Sequence, residues 1–196
     1  MNKADRRASI VQGASAVLAE GGLEAVRIPT VAKRVRVSRP VVYAHFKNRR
    51  EIIVAILEDY EEELQARFDV ALSEASANLE SGVAAVLEAT CAAIEVKGPG
   101  AWVLLGAAGS DPEIEQQANR IRKRIWKPWT ARIRKTTQTN KKQAQALTHV
   151  TGMVTRAVID LWVNGQLQKD EALHIGLTSV VAMLRAFRDP LEKGET

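Results

Sequence analysis

Apolar residues recur at helical spacing from one end of this chain to the other, and no stretch alternates apolar and polar residues as a strand does. That pattern confines the fold to packed helices. Ile10, Ala14, Val17 and Leu18 mark a first helix over 5–20, ended by Gly21-Gly22, where glycine accepts a left-handed backbone. A second, short helix runs from about Pro29 to Val35, with Pro at a first helical position. Ser38 opens a third. Asn48 and Glu51 have the spacing of a capping box, and a long helix follows through Ile52, Ile53, Ile56, Leu57, Tyr60, Leu64 and Phe68. Further helices are expected over 79–96, 102–108, 141–163 and 169–187. Between the second and third of these, Ser110-Asp111-Pro112-Glu113 opens a helix whose apolar stripe runs from Ile114 to Ile133, with a kink expected at Pro128.

The third helix is the unusual one. Ser38-Arg39-Pro40-Val41-Val42-Tyr43-Ala44-His45-Phe46-Lys47 is too short to be stable alone, so neighbours must hold it. The Ser38 hydroxyl is placed to accept a free N–H of the first turn. Pro40 falls where no N–H is required. Val42 and Phe46, four apart, share one face and read as core. Arg39, Tyr43 and Lys47 are left for other faces. A docked helix that keeps cationic and aromatic polar groups outside is shaped to meet an anion, and DNA leads the candidates.

Charge supports this by its distribution. Residues 1–51 hold 11 Lys and Arg against 4 Asp and Glu, and residues 120–142 hold 10 against none. Residues 52–119 reverse the balance, with 2 against 13. The first basic block coincides with the short helix, and a basic block attracts phosphate. The N-terminal Arg6 and Arg7 are expected to form a solvated arm. Cys91 is the only cysteine, which rules out an intramolecular disulfide. There is no apolar signal core after the charged N-terminus and no run long enough to span a bilayer, so a cytoplasmic protein with no membrane partner is expected.

Residues 5–57 resemble the N-terminal DNA-binding domain of TetR-family transcriptional regulators. The resemblance rests on Ala14, Leu18, Gly22, Val31-Ala32, Val37-Ser38, Tyr43, His45-Phe46-Lys47 and Glu51-Ile52. It implies an all-α chain: a three-helix helix-turn-helix domain over 1–50, then a larger helical ligand-binding and dimerisation domain over 51–196. It implies a sequence-specific regulator, most often a repressor, that binds a palindromic operator in double-stranded DNA as a homodimer. The last two helices, near 143–163 and 169–187, would form the dimer contact, and a small-molecule effector would release the DNA. The second helix of a helix-turn-helix enters the major groove N-terminus first. Arg39 is then the expected base reader, since arginine can bond guanine bidentately. Pro40 and Val41 would meet a thymine methyl, Tyr43 resembles the family's phosphate-contacting tyrosine, and Ser38 and His45 border the same face. Lys47 and Arg49, at the start of the next helix, suit phosphate. Two positions depart from the family pattern. Arg36 stands where glycine is usual in the turn, so either the turn relaxes or Arg36 accepts strain while its charge reaches a phosphate. Arg27 stands where Ser or Thr would cap the second helix, leaving Thr30 as the nearby hydroxyl.

The remainder of the chain offers Phe68, Cys91, Trp102, Trp126, Trp129, Met153 and Trp162 as lining for an effector pocket, aromatic residues suiting an apolar or flat ligand. The second basic block has two readings: a solvated face paired with Glu58, Glu61, Glu62 and Glu63, or an attractor for an anionic ligand such as an acyl-CoA. Enzyme function is disfavoured. His45, His149 and His174 lack metal-ligand spacing, Cys91 has no evident catalytic partner, and no phosphate-binding glycine loop occurs, so neither metal nor cofactor is expected. A helical protein-interaction module with a degenerate helix-turn-helix is the alternative. It has no use for an outward Ser38, Tyr43 and Lys47.

Overall fold

The computed structural model describes residues 2–74, 78–106 and 111–188. Among the described residues every regular element is an α-helix: α1 (Lys3–Ala25), α2 (Ile28–Arg34), α3 (Arg39–Tyr43), α4 (Arg49–Glu74), α5 (Leu79–Lys97), α6 (Pro99–Gly106), α7 (Pro112–Thr137), α8 (Lys141–Val163) and α9 (Lys169–Arg188). None of them is long and apolar enough to cross a membrane. The chain divides into two compact units, one of residues 1–66 and 92–122, the other of 67–91 and 123–196.

In the first unit, α1 packs on α2 and α6, and α2 on α3. The Asn2 side chain accepts from Asp5 N at 2.8 Å and the Asp5 carboxylate accepts from Asn2 N at 3.3 Å, a reciprocal cap that starts α1. Arg6 and Arg7 therefore lie within α1, correcting the expectation of a solvated arm: the cap nucleates the helix ahead of them. Ile10, Ala14, Val17 and Leu18 are buried as their spacing requires. Gly22, at φ +68, breaks the helix where the sequence ended it, but a further turn continues to Ala25. The α1–α6 contact is close. Ser15 Oγ donates to the Lys97 carbonyl at 3.0 Å. A Cβ added to Gly100 would lie 2.8 Å from the Ser15 carbonyl oxygen and 3.2 Å from Leu18. At the start of α7, the Asp111 carboxylate accepts from Glu113 N and Ile114 N and pairs with Arg50 at 3.1 Å. Burial pulls the Asp111 pKa up, but the Ile114 and Glu113 amides and Arg50 outweigh it and hold the carboxyl below its ordinary value. Residues 107–110, where the helix expected over 102–108 ends and Ser110 is expected to open the next, lie outside the described residues.

In the second unit, α8 packs on α9. Asn140 and Gln143 exchange side-chain bonds with each other's backbone N–H and start α8. The helix closes on Gly165 at φ +71, with Gln166 N bonding the Leu161 carbonyl and Gly165 N the Trp162 carbonyl. That 6→1 and 5→2 pair is a Schellman motif. Thr148, Thr151, Thr155 and Val158 turn one face of α8 inward, and Ala172, Gly176, Val180 and Leu184 do so on α9. Gly176 admits Val158 and Leu87, which stand 3.1 Å and 3.2 Å from where its Cβ would be. The helix α7 continues through Pro128, with Ile125, Trp129 and Ile133 buried.

Gly100→Ala is expected to lower stability by roughly 1–3 kcal/mol, since its Cβ meets backbone that cannot turn aside. Equilibrium urea unfolding checks this, and an unchanged midpoint would show that α6 shifts freely on α1.

Candidate nucleic-acid interface

The helix α3 spans only five residues, Arg39–Tyr43, although hydrogen bonds carry the turn onward: Ala44 N to Pro40 O, and both His45 N and Phe46 N to Val42 O. His45 and Lys47 thus stand beyond the helix proper. Val42 and Phe46 are buried to 0% and 1% exposure and fasten the segment to the domain. The opposite side is solvent-facing: Ser38, Arg39, Pro40, Ala44 and Lys47 are exposed, as is Tyr43 at 55%, while Val41 and His45 are half-buried. Ser38 occupies the N-cap position, but its hydroxyl makes no capping bond, which corrects the expected cap. The chain direction is set instead by Pro40 in the first turn and by the buried pair.

The turn before α3 resolves the Arg36 question. Arg36 has φ +56 and is exposed. Val37 N bonds the Ala32 carbonyl at 3.0 Å and Arg36 N the Lys33 carbonyl at 3.3 Å. This is the same Schellman arrangement that closes α8, with arginine where α8 uses Gly165. The two hydrogen bonds and the α2–α3 packing hold Arg36 in a conformation that costs an L-residue about 1–2 kcal/mol. Thr30 is exposed on α2. Arg27 is the N-cap of α2 without a side-chain capping bond, and its guanidinium turns back to the Glu24 carbonyl at 3.0 Å.

Not every cation of the first basic block is available. Arg34 makes a two-bonded pair with Glu20, at 2.7 Å and 3.1 Å. Arg49 donates to the carbonyls of Val26, at 2.9 Å, and Leu23, and pairs with Glu24 at 3.1 Å. Its guanidinium therefore fastens the start of α4 to the end of α1, a use that its position in the sequence did not disclose. The guanidinium of Arg7 lies 4.4 Å from the centroid of the Phe46 ring, over the residue that anchors α3. Glu51 accepts from Lys47 N at 2.8 Å while Asn48 Oδ1 accepts from Glu51 N at 3.0 Å, so the expected capping box forms with its return bond one residue early. Among the described residues, Arg36, Arg39 and the Lys47 ammonium make no ion pair. Lys33 also stands exposed at the end of α2. It was not among the residues expected to meet DNA, and only its charge beside Arg34 pointed to it. An exposed Arg39 and Tyr43 on one short helix, with Lys47 just beyond its end and a cationic turn before it, can meet a polyanion.

The seven residues nominated for a pocket are divided between the two units. Trp102 is buried in the first unit. Phe68, Cys91 and Trp129 are buried in the second, where Trp126 and Trp162 are half-buried. Met153 is 59% exposed on the outer side of α8, which corrects its nomination. It lies out of phase with Thr151, Thr155 and Val158, which face inward.

Arg36→Gly is expected to raise stability by about 0.5–1 kcal/mol, the relief of the left-handed strain exceeding the extra chain entropy of glycine. Urea unfolding of the two proteins reads the difference directly, and a loss of stability overturns the strain account.

Comparison with known proteins agrees with this geometry. Residues 10–56 match the profile of bacterial regulatory proteins of the tetR family. A TetR-like transcriptional regulator from Rhodococcus sp. RHA1 superposes with a TM-score of 0.79 at 14% identity, over 94% of this chain and 98% of that one. A TetR-family transcriptional regulator from Streptomyces coelicolor gives 0.73 at 16%, over 94% and 90%. The fatty acid degradation regulator FadR from Bacillus halodurans gives 0.74 at 13%, over 98% and 99%. These likenesses span both units and not the N-terminal helices alone. Residues 10–56 therefore resemble the N-terminal domain of tetR-family regulatory proteins, and the chain as a whole has the fold of these regulators.

Proposed function

We propose that the chain is a homodimeric repressor that reads a palindromic operator through α3 and releases it on binding a small molecule. The observation that carries this reading is the outward face of α3, held by the buried Val42 and Phe46 and bearing Arg39, Pro40 and Tyr43. Arg39 reads a guanine edge, Pro40 and Val41 contact a thymine methyl, and Ser38 and His45 border the groove. Tyr43, Lys47, Arg36 and Thr30 bond phosphates, which set register without specifying sequence. Arg49 serves through its backbone position, its guanidinium being committed to α1. In functional terms residues 1–50 are the reading head and residues 51–196 the regulatory part.

One α3 reads too few base pairs for a useful operator, and a symmetric dimer doubles the site. The helices α8 and α9 carry what a second copy would cover: Val150, Met153, Ile175 and Phe187 are each between 42% and 59% exposed. On α8, Val150, Met153 and Ala157 follow helical spacing along one outward stripe, and Ile175, Ala182 and Ala186 do so on α9. The effector would lie in the second unit, among Phe68, Cys91, Trp126, Trp129 and Trp162. Two buried polar atoms there, Trp129 Nε1 and Thr151 Oγ1, lack a hydrogen-bond partner and offer an effector a donor and a hydroxyl. Release requires the effector to prefer the state that does not bind DNA.

Selection of a random duplex library by the purified protein tests the reading. A palindromic site is expected, weakened by about 1–3 kcal/mol in Arg39→Ala with loss of discrimination at one base pair per half-site. Recovery of no sequence preference would sink the base-reading role and favour a helical interaction module. Met153→Glu is expected to convert a dimer to a monomer in sedimentation and to abolish binding to the full palindrome. A variant that sediments like its parent would place the dimer contact elsewhere.

A further inference from the structure

We propose that the outward face of α7 is a second DNA-binding surface, one that grips duplex phosphates without reading sequence. Its residues in the second unit are Lys123, Arg124, Lys127, Arg134 and Lys135, all exposed. At 3.6 residues per turn they fall within an arc of about 120°, opposite the buried Ile125, Trp129 and Ile133. From Lys123 to Lys135 the face runs about 18 Å along the helix.

Four cations of this face carry no acidic partner: among the described residues, Lys123, Lys127, Arg134 and Lys135 make no ion pair. Elsewhere in the same unit, Glu80 pairs with Arg185 and Asp160 with Arg156. No acidic residue occurs anywhere in 120–142 to relieve the like-charge contacts. Lys123 and Lys127 stand four residues apart, a spacing that destabilises a helix by a few tenths of a kcal/mol when the charges match. The fold gains nothing from this repulsion, whereas a polyanion relieves it.

The chemistry of the face selects the polyanion. Between its cations lie Pro128 and Ala131, and no exposed aromatic or large aliphatic side chain. Trp129 is buried, and the ring of Trp126 lies 3.3 Å from where a Cβ on Gly152 would be, so neither is presented outward. A membrane-surface helix needs an apolar side to enter the lipid. A protein partner needs anchor residues that bury in a pocket. Phosphates need only charge, and a duplex presents one negative charge per about 1.7 Å of its axis. The face thus suits duplex DNA, which this protein already meets through its N-terminal domain. It would hold the regulator on non-operator DNA through release of counterions alone.

Fluorescence anisotropy with a labelled mixed-sequence duplex, over a series of salt concentrations, tests this in the full-length protein. Replacing Lys123, Lys127, Arg134 and Lys135 together by Gln is expected to lower the slope of log affinity against log salt by about 3–4, near 0.9 for each phosphate no longer neutralised. Exchange of each for the other basic residue, Lys→Arg and Arg134→Lys, is expected to keep the parent slope, which separates loss of charge from a disturbed fold. A variant with Arg39, Tyr43 and Lys47 replaced by Ala is expected to keep the α7 share of the binding. The four-Gln variant should still select the palindrome, so failure of this surface and failure of the operator reading are told apart. An unchanged salt slope in the four-Gln variant overturns the proposal. So does unaltered DNA binding together with abolished binding to anionic phospholipid vesicles or to an acidic peptide.

Discussion

A five-residue helix keeps its place only because one of its own residues and one just past its end are sealed in the core. Val42 and Phe46 turn inward, and every outward group of α3 takes its direction from them. A free helix of this length would not persist in water. The surrounding devices act on that same point. The Schellman turn at Arg36 sets the angle at which the chain enters α3. The Arg49 guanidinium fixes the start of the helix that follows, and the Arg7 cation covers the Phe46 ring. The outward face of α3 is thus positioned by backbone hydrogen bonds and packing on three sides, while its own side chains remain uncommitted.

The domain manages its charge by engaging some cations to keep others free. Glu20 and Glu24 hold Arg34 and Arg49, and Glu51 is engaged by a backbone N–H. Each acidic side chain is committed before it can reach Arg36, Arg39 or Lys47. Exposed pairs of this kind add little to stability. Their larger effect is to keep acid away from the face proposed to meet phosphate. The α7 face follows the opposite course, with acid absent from the local sequence.

Much of this was legible in the sequence because it rests on local rules. Helical spacing located the helices, and Gly22, at φ +68, marked the break in α1. The reading face followed from Val42 and Phe46, whose separation by four places both on one side. Local rules fail where a side chain chooses among distant partners. Arg49 sits where a phosphate contact is reasonable, but the carbonyls it binds, at Leu23 and Val26, are brought to it by the tertiary fold. Met153 was grouped with pocket residues by its apolar character, although the phase of Thr151, Thr155 and Val158 already placed it outward. Asn2 and Asp5 have the spacing of a reciprocal cap, a signal masked by the run of charge that suggested a loose arm.

The single thiol has a practical consequence. Cys91 is fully buried, so the native chain offers reagents no accessible thiol. A cysteine introduced at an exposed position beside α3, such as Ala44, would be the sole labelling site on each copy. In the proposed homodimer, paired spin labels there would act as a molecular ruler between the two reading heads. The distance distribution, recorded with and without candidate compounds, would follow the spacing of the heads without requiring knowledge of the operator or a background correction for native thiols.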